Sequence, residues 1–302
     1  MVLGAVATMV AASSTGLFSG KKQTGNAATT ATEIHQGLGT TILPNYRVVA
    51  VVGAPGQDAS LGRGSIGTPS DGVRYAKDEL APLYAGDKPV LPAFMLIATL
   101  AKQESNSGRY SSRLTDAQIQ PYLTAARDNG AILILDIQPG RSPWMDEVRH
   151  YSKWLKEPDV SLALDPEWKM GPNEIPIVSN VIGRTSASEI NEVSAYMQRI
   201  IDENKLPQKL LVIHEFKDYQ LTDQSQIVDR PGVATVLNVD GVGSPDAKVA
   251  TYVTMTNPAR GKQFPMGFKL FFDDDTKGGA AMMTPDDVMN SLVPRPDFVV
   301  YE

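Results

Sequence analysis

The chain has 302 residues, of which 42% are hydrophobic and 21% charged, and it contains no cysteine. This length fits one large α/β barrel or two ordinary domains, and the composition is that of a globular protein. The formal net charge of -6, without a run of Lys or Arg, argues against a nucleic-acid partner. The missing cysteine excludes disulfides, a thiolate nucleophile and Cys-ligated metal sites.

The first part of the chain differs in composition from the rest. Residues 1–19 form a short apolar run of small residues that resembles an export signal, although no basic residue precedes it; a disordered or packed arm is the alternative. Residues 21–41 are rich in Thr, Ala, Gly and Asn, which is typical of a linker. We therefore predict a signal-like segment and linker over residues 1–44 and a folded domain over residues 45–302. The predicted location is secreted or cell-envelope associated, with no stable membrane span in the mature protein.

From Tyr46 onwards, apolar runs rich in β-branched residues alternate with amphipathic helical patterns. Eight such runs are predicted to be strands: Arg47–Val52, Ala93–Thr99, Ala131–Asp136, Val160–Asp165, Lys209–His214, Val233–Asp240, Phe268–Asp273 and Phe298–Tyr301.

Helix-start signals lie between the predicted strands. Thr115 with Gln118, and Ser186 with Glu189, have the spacing of capping boxes. Further helix starts are predicted at Ser142-Pro143 and Thr284-Pro285, and weaker helical patterns cover Asp71–Tyr84 and Pro245–Met255.

Continuous apolar strands alternating with helices predict a parallel sheet that is covered on both faces. We predict a single (β/α)8 barrel of the TIM type, with an open doubly wound sheet as the alternative. The sequence stops directly after the eighth predicted strand, so the usual last helix is expected to be missing, with a disordered or signal-like N-terminal arm that could cover that side.

The segment Asp165-Pro166-Glu167-Trp168 ends the fourth predicted strand with two carboxylates and an aromatic ring. Alternation along a strand would place Asp165 and Glu167 on the same face. Proline between them could break that alternation, and strand-end acids often only cap the next helix. Two carboxylates that flank a scissile bond are the groups that glycoside hydrolysis requires.

In a barrel of this type the active site lies at the carboxyl ends of the strands, so the other strand ends are also candidates. They supply Asp136 and Gln138, His214 and Glu215, Asn238 and Asp240, Lys269 and Asp273, and Tyr301. Lys269 would lie deeper than Asp273 and is expected to pair with one of the acids, because a buried lysine must be paired or lose its charge.

Several motif matches are weaker. Residues 62–67 fit the dinucleotide-binding formula G-x-G-x-x-G, but the glycines follow the strand too late, so we predict a glycine-rich loop over the barrel mouth. The three histidines do not have metal-site spacing, and neither a metal site nor a cofactor is predicted, although an oxygen-only cation site near Asp273 stays open as an alternative.

Three stretches resemble exported or cell-envelope actinobacterial proteins with glycosidase-type barrels: Leu133–Ser142, Leu162–Lys169 and Gly267–Phe272. This resemblance implies a barrel and an extracytoplasmic location, and it names no substrate. Asp165-Pro166-Glu167 is also similar to the Asp-x-Glu ending of the chitinase-like glycoside hydrolases, which implies Glu167 as general acid. The earlier aspartate of that motif is absent, because Ala163 occupies its position.

The sequence therefore favours an exported glycoside-hydrolase-like enzyme that acts on a polysaccharide or cell-wall glycan. In this hypothesis Glu167 is the general acid, Asp165 orients it, and Glu215 or Asp240 is the base or nucleophile. The predicted substrate-binding residues are Asp136, Gln138, Trp168, His214, Asn238, Lys269, Asp273 and Tyr301. A non-catalytic carbohydrate- or envelope-binding barrel and a divalent-cation-dependent hydrolase or lyase are the alternatives.

Overall fold

The computed structural model describes residues 32–35 and 37–302. Its centre is a barrel of eight parallel strands: β1 (Arg47–Gly53), β2 (Val90–Ala101), β3 (Ile132–Ile137), β4 (Val160–Leu164), β5 (Lys209–Glu215), β6 (Val233–Val239), β7 (Met266–Leu270) and β8 (Phe298–Tyr301). The sheet is closed, because β1 pairs in parallel with both β2 and β8. The predicted TIM-type barrel is confirmed and the open sheet is wrong.

Six α-helices connect the strands: α1 (Pro69–Arg74), α2 (Asp116–Asp128), α3 (Trp144–His150), α4 (Ala187–Asn204), α5 (Pro245–Met255) and α6 (Pro285–Ser291). Helix α1 continues through the π-helical turn Tyr75–Leu80 into the 3₁₀ turn Ala81–Tyr84. Between β5 and β6 the described chain has the 3₁₀ turn Gln224–Gln226 in place of an α-helix. Three short strands complete the fold: Ser111–Arg113 pairs antiparallel with the end of β2, and Thr185–Ser186 pairs with Leu221–Thr222.

The helices begin where local chemistry favours a start. The predicted capping boxes of Thr115 and Ser186 are present, and two more are formed by Thr68 with Asp71 and by Thr284 with Asp287. The predicted start at Ser142 is one residue early, because Pro143 occupies the N-cap of α3. None of the described helices is both long and apolar enough to cross a membrane.

Side chains alternate between two packed layers. Inward-facing residues such as Val48, Met95 and Val212 fill the barrel, whereas outward-facing residues such as Val49, Leu135 and Ile213 pack beneath the helices. The barrel interior is therefore a solid core below the mouth. Polar side chains enter it mainly at the carboxyl ends of the strands, and Ser161, nearer the amino end of β4, accepts from the Leu210 amide at 3.0 Å.

The amino end of the barrel is closed by the chain that precedes β1. Ile34, Ile42 and Leu43 are buried in the same cluster as the barrel interior. The Ile42 and Leu43 amides donate to the side-chain oxygen of Gln208, just before β5, at 2.9 and 2.8 Å. The linker prediction did not anticipate these contacts. The predicted signal-like segment, residues 1–19, lies outside the described residues.

Candidate active site at the barrel mouth

A cavity of about 1030 Å³ opens at the carboxyl ends of the strands, where this fold carries its active sites. Polar groups from several strand ends line it, namely Gln138, Asp165, Glu167, Asp240, Lys269 and Glu302. Apolar and aromatic side chains complete the wall, among them Leu61, Ile97, Trp168, Phe216 and Phe271. An open cavity with a few convergent polar groups on an apolar wall is the usual form of a small-molecule site.

Asp165 and Glu167 both reach this cavity, but they do not do so by strand alternation. Strand β4 ends at Leu164, and Asp165 caps the 3₁₀ turn Pro166–Trp168. The Glu167 amide donates to Asp165 Oδ1 at 3.2 Å. The predicted same-face strand geometry is therefore wrong, because proline starts a helical turn at this point. The turn nevertheless aims both carboxyls into one cavity.

The surroundings of Asp165 and Glu167 raise the pKa of both carboxyls. Burial, with a smaller contribution from the nearby Asp240 carboxylate, raises the pKa of Glu167 to about 7 against the opposing charges of Lys269 and His214. Burial also raises the pKa of Asp165 well above its ordinary value, with the Glu167 and Asp136 carboxyls adding to the effect. A carboxyl that remains protonated near neutral pH can act as a general acid.

His214 lies on the floor of the mouth between two carboxylates. Its Nδ1 is 3.2 Å from Asp240 Oδ2 and 3.2 Å from the Asn238 side-chain nitrogen, and its Nε2 is 3.7 Å from Asp136 Oδ1. A proton on either ring nitrogen therefore faces an acidic oxygen. Burial raises the pKa of Asp136, opposed by the charges of His214 and Lys269. Asn238 and Asp240 were predicted to lie on the same face of their strand, and both side chains contact the His214 imidazole.

Four buried atoms of this floor have no hydrogen-bond partner among the described residues: Asp136 Oδ1, His214 Nε2, Asn238 Oδ1 and Asp240 Oδ1. Buried polar groups in folded proteins are nearly always hydrogen-bonded, and leaving them unpaired is costly. Asp136, His214 and Asn238 do not line the cavity themselves, so these atoms form an incompletely hydrogen-bonded polar layer directly beneath it.

Lys269 is a buried cation at the mouth. It forms an ion pair with Glu302, and its Nζ lies 4.9 Å from the centroid of the Phe271 ring. Burial alone would lower the pKa of Lys269, but the carboxylates of Glu302, Asp240 and Asp165 raise it above its ordinary value. Lys269 is therefore charged, as expected for a buried lysine with acidic partners. Glu302 was missed by the sequence analysis.

Three predicted site residues lie elsewhere. Glu215 faces the helix layer, where both carboxylate oxygens accept from Arg260, at 2.9 and 2.7 Å. Tyr301 also faces outward, and its hydroxyl lies 2.6 Å from the Tyr84 hydroxyl. Asp273 is exposed beyond the end of β7. Neighbouring residues on a strand point to opposite faces, so His214 and Glu215 could not both enter the barrel.

The acidic run after β7 does not form a cation site. Asp274 pairs with Lys277, and Asp275 is buried against Lys248, at 2.9 Å. The Phe271 amide donates to the same oxygen, Asp275 Oδ2, at 2.9 Å. Across residues 32–35 and 37–302 no cluster of three or more acidic or histidine side chains has metal-binding geometry.

The glycine-rich loop is explained by close packing. A Cβ on Gly62 or Gly64 would lie 2.5 or 2.6 Å from the carbonyl oxygen of Val52. The loop therefore lies directly on the end of β1, and the preceding residues Ser60 and Leu61 line the mouth. Gly62 and Gly64 therefore allow the loop backbone to lie close to the backbone of β1. The loop does not follow the strand directly, as a dinucleotide-binding turn does.

No protein-family model matches the chain, and no curated protein matches it. Among solved structures, a sugar phosphate isomerase/epimerase from Parabacteroides distasonis is similar, with 14% identity over 82% of this chain and 90% of that one, and a TM-score of 0.33. A likeness this distant gives no information about activity. The barrel assignment rests on the strand pairing itself, and the resemblance to exported actinobacterial proteins receives no support.

Proposed function

We propose that this protein is a carbohydrate-active enzyme that cleaves a glycosidic bond in the barrel mouth by carboxylate acid/base chemistry. The observation that carries the proposal is Glu167, a carboxyl with a pKa raised to about 7 by burial at the wall of an open cavity. Such a group is protonated at the start of a reaction near neutral pH and can give its proton to a leaving oxygen.

Asp240 is the counterpart in this proposal, as the base or nucleophile. It lines the same cavity, and its charge acts on Glu167 strongly enough to raise the pKa of that carboxyl. His214 holds one Asp240 oxygen at 3.2 Å, while the other oxygen has no hydrogen-bond partner among the described residues. A carboxylate that is oriented at the wall of a substrate cavity can attack an anomeric carbon or activate a water. Glu215, the alternative counterpart, is committed to Arg260.

The remaining groups suit a sugar. Trp168, Phe216 and Phe271 present aromatic surface at the cavity wall, and Gln138 and Lys269 add polar contacts beside it. Aromatic faces with a small number of placed polar groups fix the orientation of a ring with hydroxyls. We also propose that the enzyme acts outside the cytoplasm, on a polysaccharide or wall glycan. The location rests on the sequence of residues 1–19 alone.

The test is turnover of a panel of polysaccharides and aryl glycosides by the purified protein and two variants, Glu167→Gln and Glu203→Gln. Glu203 is exposed at the end of α4, so the second variant makes the same chemical change away from the mouth. Loss of a general acid lowers kcat by about 100-fold or more on an unactivated glycan. The loss is much smaller on a nitrophenyl glycoside, because that leaving group departs without a proton.

Full turnover of the unactivated glycan by Glu167→Gln would overturn the assignment of the acid. Saturable glycan binding without turnover by any form of the protein would support the non-catalytic binding barrel instead.

A further inference from the structure

A second cavity, of about 580 Å³, lies between the loops that follow β2 and β3 and the start of α3. We call it the arginine groove, and its lining residues are Ser107, Gly108, Arg109, Arg113, Arg141, Ser142, Pro143, Asp146 and Arg149. Four arginines face one aspartate here, in a chain whose formal net charge is -6. The groove is therefore a local positive site on an acidic protein.

The arginines of the groove differ in how they are paired. Arg113 is used within the protein, since it donates to both oxygens of the buried Glu147 at 2.8 Å each. Arg109, Arg141 and Arg149 form no ion pair with any carboxylate of the described residues. The Nε of Arg109 is buried and has no hydrogen-bond partner there. A merely solvated surface arginine would not leave a buried donor unpaired.

The two central arginines are held in place by their loops. The Arg141 guanidinium lies 4.1 Å from the Tyr110 ring centroid, and its Nε donates to the Glu174 carbonyl at 2.7 Å. The Arg141 amide donates to the Arg109 carbonyl at 2.6 Å. The intervening Gly140 has no room for a side chain, because its Cβ would lie 2.4 Å from that same carbonyl. The Arg141 guanidinium, positioned in this way, loses little freedom when it binds an anion, whereas for Arg109 it is the backbone that is held.

The groove adjoins the mouth. Gln138 lines the mouth cavity, and Arg141 follows it by three positions, which span about 11 Å at most. On the other loop Lys102 also lines the mouth, and its amide donates to the Tyr110 carbonyl at 2.9 Å. The same two loops therefore form one side of both cavities.

We propose that the arginine groove binds an anionic group, a phosphate or a carboxylate, of the glycan whose bond lies in the mouth. Guanidinium forks match both groups through paired hydrogen bonds, so the shared chemistry is a planar or tetrahedral oxyanion. The assignment of that anion to the substrate rests on the proposed function, whereas anion binding in the groove does not.

The first test is titration of the intact protein with inorganic phosphate and, separately, with glucuronate, following the Arg109 Nε–H signal by NMR. One or both anions shift this signal, and the stronger binder identifies the phosphate or the carboxylate. Arg109→Gln weakens binding, measured by calorimetry, by about tenfold, the loss expected when hydrogen bonds to a charged group are removed.

The control is Arg295→Gln, which removes an exposed arginine just before β8, at the amino end of the barrel. It leaves binding unchanged. Anions that fail to shift the Arg109 signal, or equal weakening in both variants, would show that the groove is only a solvated basic surface.

The second test compares a neutral and an anionic glycan of the same linkage. Arg109→Gln raises KM for the anionic substrate alone, with kcat nearly unchanged, because the groove binds a remote part of the substrate. Equal KM changes for the two glycans would show that the groove does not bind the substrate. They would not contradict anion binding in the groove. Absence of any glycan turnover would contradict the proposed function, and the phosphate and glucuronate titrations would still stand.

Discussion

Glu167 combines exposure to a cavity with enough burial to hold a proton, and this combination makes its activity sensitive to pH. Burial raises its pKa to about 7, so the acid form predominates below that pH and is lost above it. We expect kcat/KM on an unactivated glycan to fall as the pH rises through about 7, because this ratio reports the pKa values of the free enzyme. The kcat/KM–pH profile of Glu167→Gln lacks this limb at its lower activity, and the same limb in both proteins would assign the titration to another group.

Glu215 illustrates a buried acid with a structural task. Its carboxylate and the Arg260 guanidinium satisfy each other under the helix layer. Glu215→Gln leaves the arginine charge without its partner, which we expect to cost about 3–5 kcal/mol of unfolding free energy. Urea denaturation measures this loss. Asp240→Asn, in contrast, is expected to lower turnover far more than stability, and the reverse pattern would exchange the two roles.

Which side chains enter the mouth could be predicted only in part. The polar endings of the strands were visible in the sequence, and they correctly named Asp165, Glu167, Asp240 and Lys269 as neighbours of the cavity. Whether a side chain points into the barrel or toward the helices, however, depends on the register of its strand in the barrel wall. At β8, Tyr301 points outward, whereas the next residue, Glu302, lines the cavity.

At the scale of elements, the strands and helices were predictable because each carries its own local signal. Uninterrupted apolar runs mark the buried parallel strands, and capping boxes mark α2 and α4. The arginine groove has no such signal, because Arg109 and Arg141 become neighbours only when two loops pack together. The closure by Ile34 and Ile42 was equally hidden, since single apolar residues in a Thr- and Gly-rich stretch show no periodicity.

That closing segment contributes to the stability of the barrel. Ile42 is 1% exposed and packs in the cluster of the barrel interior. We expect Ile42→Ala to lower the unfolding free energy by about 2–5 kcal/mol, the usual cost of truncating a buried isoleucine. Ile66→Ala, at a residue that is 47% exposed, is the matched control and costs much less. Equal losses in urea denaturation would mean that the segment does not pack on the barrel in solution.

At the scale of the whole molecule, one buried lysine couples stability to pH. Lys209 donates only to the carbonyls of Glu157 and Val160, at 2.6 and 2.7 Å. Burial lowers its pKa to about 7, although the Asp159 and Glu157 carboxylates oppose the shift. Between this value and its ordinary pKa of 10.5 the unfolded chain binds the proton that the folded protein has lost.

Stability therefore rises with pH across that window through this group. We expect the unfolding free energy of the protein, relative to that of Lys209→Met, to increase by roughly 4 kcal/mol from pH 7 to 10.5. The difference isolates the lysine from other titrating groups. Parallel pH curves for the two proteins would show that Lys209 keeps its ordinary pKa.

The solid barrel interior makes the mouth a dead end. Side chains such as Val48 and Val212 fill the space below it, and Ile34 closes the opposite end, so nothing can thread through the protein. Whatever leaves the mouth must use the opening by which the next molecule arrives. For the proposed enzyme, a product that stays bound would compete directly with new substrate, and product release through this opening would set the rate wherever it is slower than bond cleavage.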